Sequence, residues 1–330
     1  MPSRVGAGVR APGGSAKRGT RAACAALTAV AFGSAPALGA QQTHLLVVAG
    51  IGGEPRYTQS FHQSASAIAD AARRRFGVPD SNVVYLAEAA GQPGAAGVSS
   101  KANVERELAR LARRAGAGDE LWIVVVGHGS GQGREPRVNL PGPDMTAADF
   151  RRALAPLGKQ RVAFVNAASA SGGFAEALAG PNRAVVTATR NSAEANESIF
   201  ARHFAAALAG DGADTDKDGG VSLLEAFTYA KREVARAYEA DNRLLTEHAQ
   251  LADGGSLAAT MVLAGGKAAG ASPEAARLRA ERQALDARLA GLRARKATMD
   301  SAAYERQLEA LLLEISRNGQ AARRASGGTP

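Results

Sequence analysis

The sequence predicts an α/β protein built on a mostly parallel, doubly wound sheet with flanking helices. Hydrophobic runs of strand length alternate with amphipathic helical segments from residue 44 to about residue 240. Two runs, 121–126 and 161–166, are almost unbroken apolar stretches rich in Val, which is typical of strands covered on both faces. Ligands of such sheets bind at the carboxyl ends of the strands, so the residues that follow these runs are the first candidates for a functional site.

The other elements are placed by periodicity and by breaking residues. Thr146 and Asp149 have the spacing of a capping box, which marks the start of a helix. The expected elements are, in order, a strand at 44–50, a loop at 50–56, a helix at 61–76, a strand at 83–86, a loop at 89–97, a helix at 101–115, a loop at 131–144, a helix from 146 to about 157, a strand at 183–189, and helices at about 198–209 and 222–238.

The composition changes after residue 266. Residues 267–273 are a short linker rich in Ala and Gly, and leucines at helical spacing then continue through 274–318. This pattern predicts a helical hairpin or a short coiled coil whose outer face, rich in Arg and Glu, is solvated. These helices are also the candidate element for oligomerisation. Residues 319–330 are expected to be a disordered tail.

The first 40 residues have the make-up of a secretory signal peptide. They carry five basic and no acidic side chains, with a short apolar segment at 22–32 and small residues up to Ala40. The apolar segment is too short to span a bilayer. Cleavage after Ala37 or Ala40 would leave a periplasmic or secreted protein without a membrane span. A disordered leader rich in Ala is the alternative.

The net charge of +9 does not indicate a nucleic-acid partner, because the basic excess lies at the two ends of the chain. Residues 41–272 carry 24 basic and 24 acidic side chains and are neutral. The only cysteine, Cys24, lies inside the predicted signal peptide. The mature chain is therefore expected to have no disulfide, no cysteine-ligated zinc and no cysteine nucleophile.

Two strand-end motifs carry a family resemblance. One hydrophobic run ends in His128-Gly129, and the next, about forty residues on, ends in Ala-Ser-Ala-Ser-Gly at 168–172. A strand ending in His-Gly, followed by a strand ending in Ala-Cys-x-Ser-Gly, resembles the legumain group of caspase-fold cysteine peptidases. The resemblance covers roughly residues 43–240. It implies that His128 holds the catalytic histidine position and that Ser169 stands where the family has its cysteine.

The resemblance implies a caspase-like domain at 41–266, and the exchange of Cys for Ser decides what we expect it to do. A thiol beside a histidine is partly thiolate, whereas a serine hydroxyl needs a well-placed base that a third group usually orients. We therefore expect an exported pseudopeptidase that binds peptides or protein partners in the inherited cleft. The backbone N–H groups of Gly129 and Ser169 would form its oxyanion hole. The alternatives are an active hydrolase with a Ser169–His128 dyad and a purely structural envelope protein.

Each candidate residue also has a plainer interpretation. His128 could be a strand-end histidine bonded to a neighbouring loop, and Ser169 a small residue that fills the vacated pocket. Ser171 could cap the following helix. Arg56 is the candidate substrate-binding residue, by analogy with the basic residue in the specificity pocket of the legumain group. A surface arginine is the alternative.

Residues 214–225 match the EF-hand calcium loop, with alternating carboxylates, Gly219 for the sharp turn and a closing glutamate. The match predicts a structural Ca²⁺ ion, or a similar cation. The expected ligands are Asp214, Asp216, Asp218, Gly220, Ser222 and Glu225. The alternative is that Ser222 and Glu225 form only a capping box that starts the next helix.

Overall fold

The computed structural model describes residues 41–131, 135–216, 219–253, 257–264 and 273–325. The predicted signal peptide lies outside these residues, as does the predicted linker except for Pro273. The strands are β1 (Thr43–Ala49), β2 (Val83–Ala87), β3 (Gly97–Val98), β4 (Glu120–Val126), β5 (Gly129–Ser130), β6 (Arg137–Val138), β7 (Met145–Thr146), β8 (Arg161–Asn166), β9 (Arg183–Thr187) and β10 (Gln250–Asp253). The helices are α1 (Pro55–Asp70), α2 (Lys101–Arg114), α3 (Ala147–Leu154), α4 (Gly173–Leu178), α5 (Phe200–Ala209), α6 (Leu223–Ala240), α7 (Leu257–Thr260), α8 (Pro273–Ala294) and α9 (Ser301–Ala325).

Seven strands form a central sheet in the order β10-β9-β8-β4-β1-β2-β3. Every neighbouring pair is parallel except β9 and the edge strand β10, which are antiparallel. Parallel neighbours need crossover connections, and helices supply most of them. The predicted α/β class, with a mostly parallel central sheet and flanking helices, is confirmed.

Both faces of the sheet are covered, which explains the unbroken apolar strands. Every residue of β1 and β4 is buried. Alternate side chains point to opposite faces, so Trp122 packs in one core and Ile123 in the other. One core contains apolar side chains of α1, α5 and α6, and the other contains those of α2, α3 and α4.

Helix α1 begins at Pro55, six residues earlier than the sequence pattern predicts. The prediction took Pro55 as part of a loop. Proline nevertheless suits the first turn of a helix, because its φ is already helical and because the N–H groups of the first turn have no acceptor within the helix, so the lack of one costs no hydrogen bond. Arg56 therefore lies in the first turn of α1 and not in a loop. A π-helical turn, Ala71–Arg75, follows α1.

The segment predicted as a loop at 131–144 contributes β6 to a small antiparallel sheet, β5-β6-β7. Each strand of this sheet has two residues, too few for an alternating pattern to appear in the sequence. The sheet leads into α3, where the capping box between Thr146 and Asp149 is present. That prediction is confirmed.

Helices α8 and α9 contact each other through a cluster that contains Leu285, Leu292, Tyr304 and Leu311. Helix α9 runs to Ala325, so a disordered tail is the wrong prediction for residues 319–325. The prediction ended the helix at Gly319. A glycine inside a helix costs only about 1 kcal/mol relative to alanine, and neighbouring helical residues outweigh that.

None of the helices that the structure describes is both long and apolar enough to cross a membrane.

Candidate functional site

His128 follows β4 and lies against the first two turns of α1. The His128 ring makes edge-to-face contacts with two aromatic rings of α1. Its centroid is 4.9 Å from that of Tyr57 and 5.0 Å from that of Phe61, and it is nearly perpendicular to both rings. The side chain is half-buried. The carboxyl end of β4 and the beginning of α1 therefore form one wall of the site together.

Burial lowers the pKa of the His128 imidazole below its ordinary value. The carboxylate of Glu197, a hydrogen bond with the Gly52 backbone and the carboxylate of Glu54 act in the opposite direction. The ring is therefore mostly neutral at pH 7, which is the form that can accept a proton.

Ser169 follows β8, the strand next to β4, and is only 1% exposed. Its Oγ accepts a hydrogen bond from the backbone N–H of Gly129 over 3.3 Å. No hydrogen bond joins Oγ to the His128 ring, and both residues lie in the described part of the chain. The structure thus brings the two motifs together through the Gly129 amide and not through a histidine–serine bond.

Gly129 has to be glycine. A Cβ atom at this position would collide with the carbonyl oxygen of Ser169 and lie 2.9 Å from the carbonyl oxygen of Arg137. The close approach of three backbone segments is possible only without a side chain. The glycine of the His-Gly motif is therefore explained by packing against the Ser169 turn.

The turn that carries Ser169 is strained. Ala170 has a φ of 52°, in the left-handed region that residues other than glycine rarely adopt. Its N–H is bonded to the carbonyl oxygen of Glu194 at 2.9 Å. The Oγ of Ser171 accepts hydrogen bonds from the N–H groups of Ala188 and Thr189 at 3.1 and 3.2 Å. Ser171 therefore ties the turn to the end of β9, and the expectation that it caps α4 is wrong.

Sequence reasoning missed a pair of side chains beside this turn. Glu194 Oε1 lies 2.7 Å from His248 Nδ1, and Glu194 Oε2 accepts the backbone N–H groups of Arg190 and His248 at 2.8 and 3.1 Å. Burial acts to raise the pKa of Glu194, but these hydrogen bonds outweigh it and hold the pKa below its ordinary value. Neither residue belongs to a motif. Only the position of Glu194, after the carboxyl end of a strand, could have drawn attention to it.

Asn166 is a second missed residue. It ends β8, is almost fully buried, and its Oδ1 accepts the N–H of Ala168 at 3.1 Å. Its Nδ2 has no hydrogen-bond partner among the described residues. A buried donor without a partner is rare in folded proteins. The interior next to the Ser169 turn therefore contains a polar group and is not purely apolar.

Arg56 lies near this site but is already engaged. Its Nε is 3.1 Å from Glu54 Oε2, and its guanidinium lies 4.5 Å above the centroid of the Tyr57 ring. That ring in turn contacts His128. The structure thus places Arg56 at the rim, one aromatic ring away from His128, and largely exposed.

The predicted calcium loop shows features of both interpretations. Carboxylate oxygens of Asp214, Asp216 and Glu225 lie within 4.8 Å of one another, an arrangement that could hold a cation. Asp218 lies outside the described residues. Ser222 Oγ accepts the N–H of Glu225, and Glu225 Oε2 accepts the N–H of Ser222, so the capping box of α6 is also present.

This loop is remote from His128 and Ser169. The N–H of Leu223, at the start of α6, donates to the carbonyl oxygen of Met261. The neighbouring Thr260 is hydrogen-bonded to Arg161, the first residue of β8. The loop therefore lies near the amino end of β8, whereas the two motifs lie at the carboxyl ends of the strands. Asp216 also forms an ion pair of 3.3 Å with Arg282 of α8.

Comparison of the sequence with models of protein families and with curated proteins gives no match in either case.

Proposed function

We propose that this chain is a caspase-like homologue of the legumain group that no longer cleaves peptides and instead binds peptides or protein partners. The binding cleft lies at the carboxyl ends of β4 and β8. The observation that carries the proposal is the state of Ser169, which is 1% exposed and bonded to the N–H of Gly129. A serine nucleophile has to reach both the substrate carbonyl and its base during the reaction, and a buried hydroxyl bonded to a backbone N–H reaches neither without a rearrangement.

The relationship between the two motifs supports the caspase-like assignment. His128 and Ser169 follow neighbouring parallel strands that are paired in register up to Val125 and Asn166. Residues that follow the ends of such strands meet at one edge of the sheet. This is the arrangement expected of a histidine and a nucleophile position inherited from a caspase-like peptidase.

The effect of this geometry on the rate of peptide cleavage can be estimated from two contributions. A positioned general base contributes about 10²–10⁴-fold to a rate. Loss of one oxyanion donor costs about 10²–10³-fold. In this chain no hydrogen bond joins Ser169 to the His128 ring among the described residues, and the Gly129 amide donates to Ser169 itself. Both contributions are missing at once, so a hydroxyl at position 169 should be catalytically silent.

The loop between α6 and β10, which contacts Glu194 beside the Ser169 turn, offers apolar side chains to a peptide or protein ligand. The loop between α6 and β10 presents Leu244, which is 85% exposed, and Leu245 beside it. The same loop is tied down by Glu247, which accepts hydrogen bonds from Ser198 Oγ at 2.6 Å and the Phe200 N–H at 2.9 Å. Exposed apolar side chains on an anchored loop are suited to contacts with another chain.

The competing proposal is an active hydrolase that uses His128 and Ser169. Two observations favour it: the lowered pKa keeps His128 neutral and able to accept a proton, and the Gly129 amide is already close to position 169. Such an enzyme would need the turn at Ser169 to open and the Ser169 hydroxyl to come within hydrogen-bond distance of the His128 ring.

Calcium, export and assembly are further parts of the proposal. The carboxylates of Asp214, Asp216 and Glu225 fit a hard cation, with Asp218, Gly220 and Ser222 as the remaining ligands expected from the motif. The ion would stabilise the α5–α6 connection and take no part in the cleft.

We also propose that residues 41–330 are exported to the periplasm or medium. Copies would assemble through α9, where Leu312 and Leu313 are exposed.

A peptide array and a cleavage assay test the proposal together. The purified protein is incubated with a library of peptides; binding is read on the array and cleavage by mass spectrometry. We expect a subset of peptides to bind and none to be cleaved, with Ser169→Ala behaving like the wild type. Binding should be weakened by Leu244→Asp. Cleavage that Ser169→Ala abolishes would establish the hydrolase, and the absence of both binding and cleavage would overturn the proposal.

A further inference from the structure

We infer that Glu194 and His248 are positioning residues that hold the strained turn at Ser169, an inference that rests on the proposed cleft. The two side chains meet at 2.7 Å although they are 54 positions apart in the chain. Among the described residues, no hydrogen bond joins either side chain to Ser169. Their effect passes through the backbone of Glu194 to Ala170 and from there to Ser169.

The turn needs support because Ala170 is left-handed. A residue with a Cβ atom keeps a φ of 52° only where the surroundings fix it. If Ala170 relaxed to a negative φ, the preceding peptide would rotate and carry Ser169 with it. The bond between Ser169 Oγ and the Gly129 N–H, which defines the present state of the site, would then be lost.

Two sets of bonds fix the turn, one on each side of Ala170. On the far side, Ser171 Oγ is held by the backbone of Ala188 and Thr189. On the near side, the N–H of Ala170 donates to the carbonyl oxygen of Glu194 at 2.9 Å. That carbonyl belongs to the irregular segment after β9. The position of the carbonyl oxygen therefore depends on the contacts that hold this segment.

His248 supplies the anchor. It lies just before β10, whose residue Gln250 is in register with Thr187 of β9. From there His248 donates to the Glu194 carboxylate with its backbone N–H and pairs with it through Nδ1. Arg190 adds a backbone N–H and a guanidinium 3.5 Å away. The carboxylate of Glu194 thus connects the edge of the sheet to the turn.

Hydrogen exchange at the Ala170 amide tests the inference directly, because this N–H is the bond that Glu194 provides. Exchange is measured by mass spectrometry of overlapping peptides in the full chain. His248→Leu removes the side-chain donor, while His248→Asn places an amide nitrogen near the position of Nδ1 and should rescue the bond. Glu194→Gln weakens the same pair without changing its shape, and His203→Leu is a matched control because His203 bonds Arg202 instead.

We expect exchange at Ala170 to become about 10- to 100-fold faster in His248→Leu, since hydrogen bonds to charged groups are the stronger ones. His248→Asn and His203→Leu should exchange like the wild type, and Glu194→Gln should lie between. Unchanged exchange in His248→Leu, or equal exchange in the Leu and Asn variants, would overturn the inference. The readout needs no peptide, so failure of peptide binding would count against the proposed function alone.

Discussion

The backbone N–H of Gly129 points at Ser169 Oγ from 3.3 Å. In a caspase-like site this amide would face the oxygen of a substrate carbonyl. Under the function we propose, the Ser169 side chain therefore occupies the place of the substrate. The same contact explains why residue 129 is glycine, since any Cβ would collide with the Ser169 carbonyl oxygen. This contact joins the two strand-end motifs directly.

Placing a thiol at position 169 should create reactivity. In Ser169→Cys, sulfur is a weak hydrogen-bond acceptor, so it releases the Gly129 N–H, and a thiol near a histidine is partly ionised. Position 169 is buried, so the probe reaches it when the Ser169 turn opens. We expect this variant then to react with a thiol-directed acylating peptide probe, and His128→Ala to remove the gain. The adduct is located by mass spectrometry, with Cys24→Ser to leave a single thiol.

The control for this experiment is Ser171→Cys. Ser171 is equally buried and two residues away, but its Oγ is engaged by the backbone of Ala188 and Thr189 and not by the amide of Gly129. It should stay unlabelled. Equal labelling at both positions would mean that the probe reads accessibility alone.

Calcium should stabilise the fold. At free Ca²⁺ about 100-fold above Kd, a site present only in the folded state contributes about 2.7 kcal/mol. We expect Tm to rise in Ca²⁺ and to fall back with chelator. Glu225→Gln should remove the shift while keeping the capping box of α6, because glutamine serves in that motif as well. Asp241→Asn, at the other end of α6, should keep it. Identical melting curves in Ca²⁺ and chelator would leave the loop as a helix start only.

Stability should fall as pH rises through the titration of Glu120. Burial raises the pKa of this carboxyl from 4.5 to about 7, although Arg161 acts to lower it. The folded state therefore holds the proton more tightly than the unfolded state. Its contribution is complete below pH 4.5 and is lost as pH rises through 7, by about 3 kcal/mol at most.

Urea denaturation at pH 5 and pH 8 measures this loss. We expect the free energy of unfolding of the wild type to drop between the two pH values by more than that of Glu120→Gln, which cannot titrate. Glu239→Gln, an exposed change on α6, should behave like the wild type. A wild-type drop no larger than that of Glu120→Gln would mean that Arg161 keeps Glu120 ionised throughout.

The sequence alone predicts the parts of the fold that depend on long patterns. The unbroken apolar run of a strand covered on both faces, such as β4, and the helical period of an amphipathic helix, such as α2, are visible without a structure. The capping box at Thr146 and Asp149 is equally local. The start of α1 was misplaced because Pro55 fits both a loop and a first helical turn. Gly319 was misread for a similar reason: its effect on a helix depends on the neighbours.

The sequence predicts where the residues of the candidate site lie, but not how their side chains are bonded. The motifs placed His128 and Ser169 at neighbouring strand ends, but rotamers and hydrogen bonds decide what they do there. The bond between the Gly129 N–H and Ser169 Oγ joins residues 40 positions apart that no local pattern connects. The pair of Glu194 and His248 spans 54 positions and depends on the antiparallel edge strand β10, which the sequence pattern did not reveal.

A fluorophosphonate probe tests most directly whether Ser169 is a nucleophile. Such probes phosphonylate only a serine whose hydroxyl is activated by a base and open to the solvent. The wild-type protein is incubated with the probe, and peptides that contain Ser169 are weighed by mass spectrometry beside those of His128→Ala. If this chain is a pseudopeptidase, Ser169 stays unmodified in both proteins. An adduct on Ser169 in the wild type that disappears in His128→Ala would contradict that claim and make the chain a serine hydrolase.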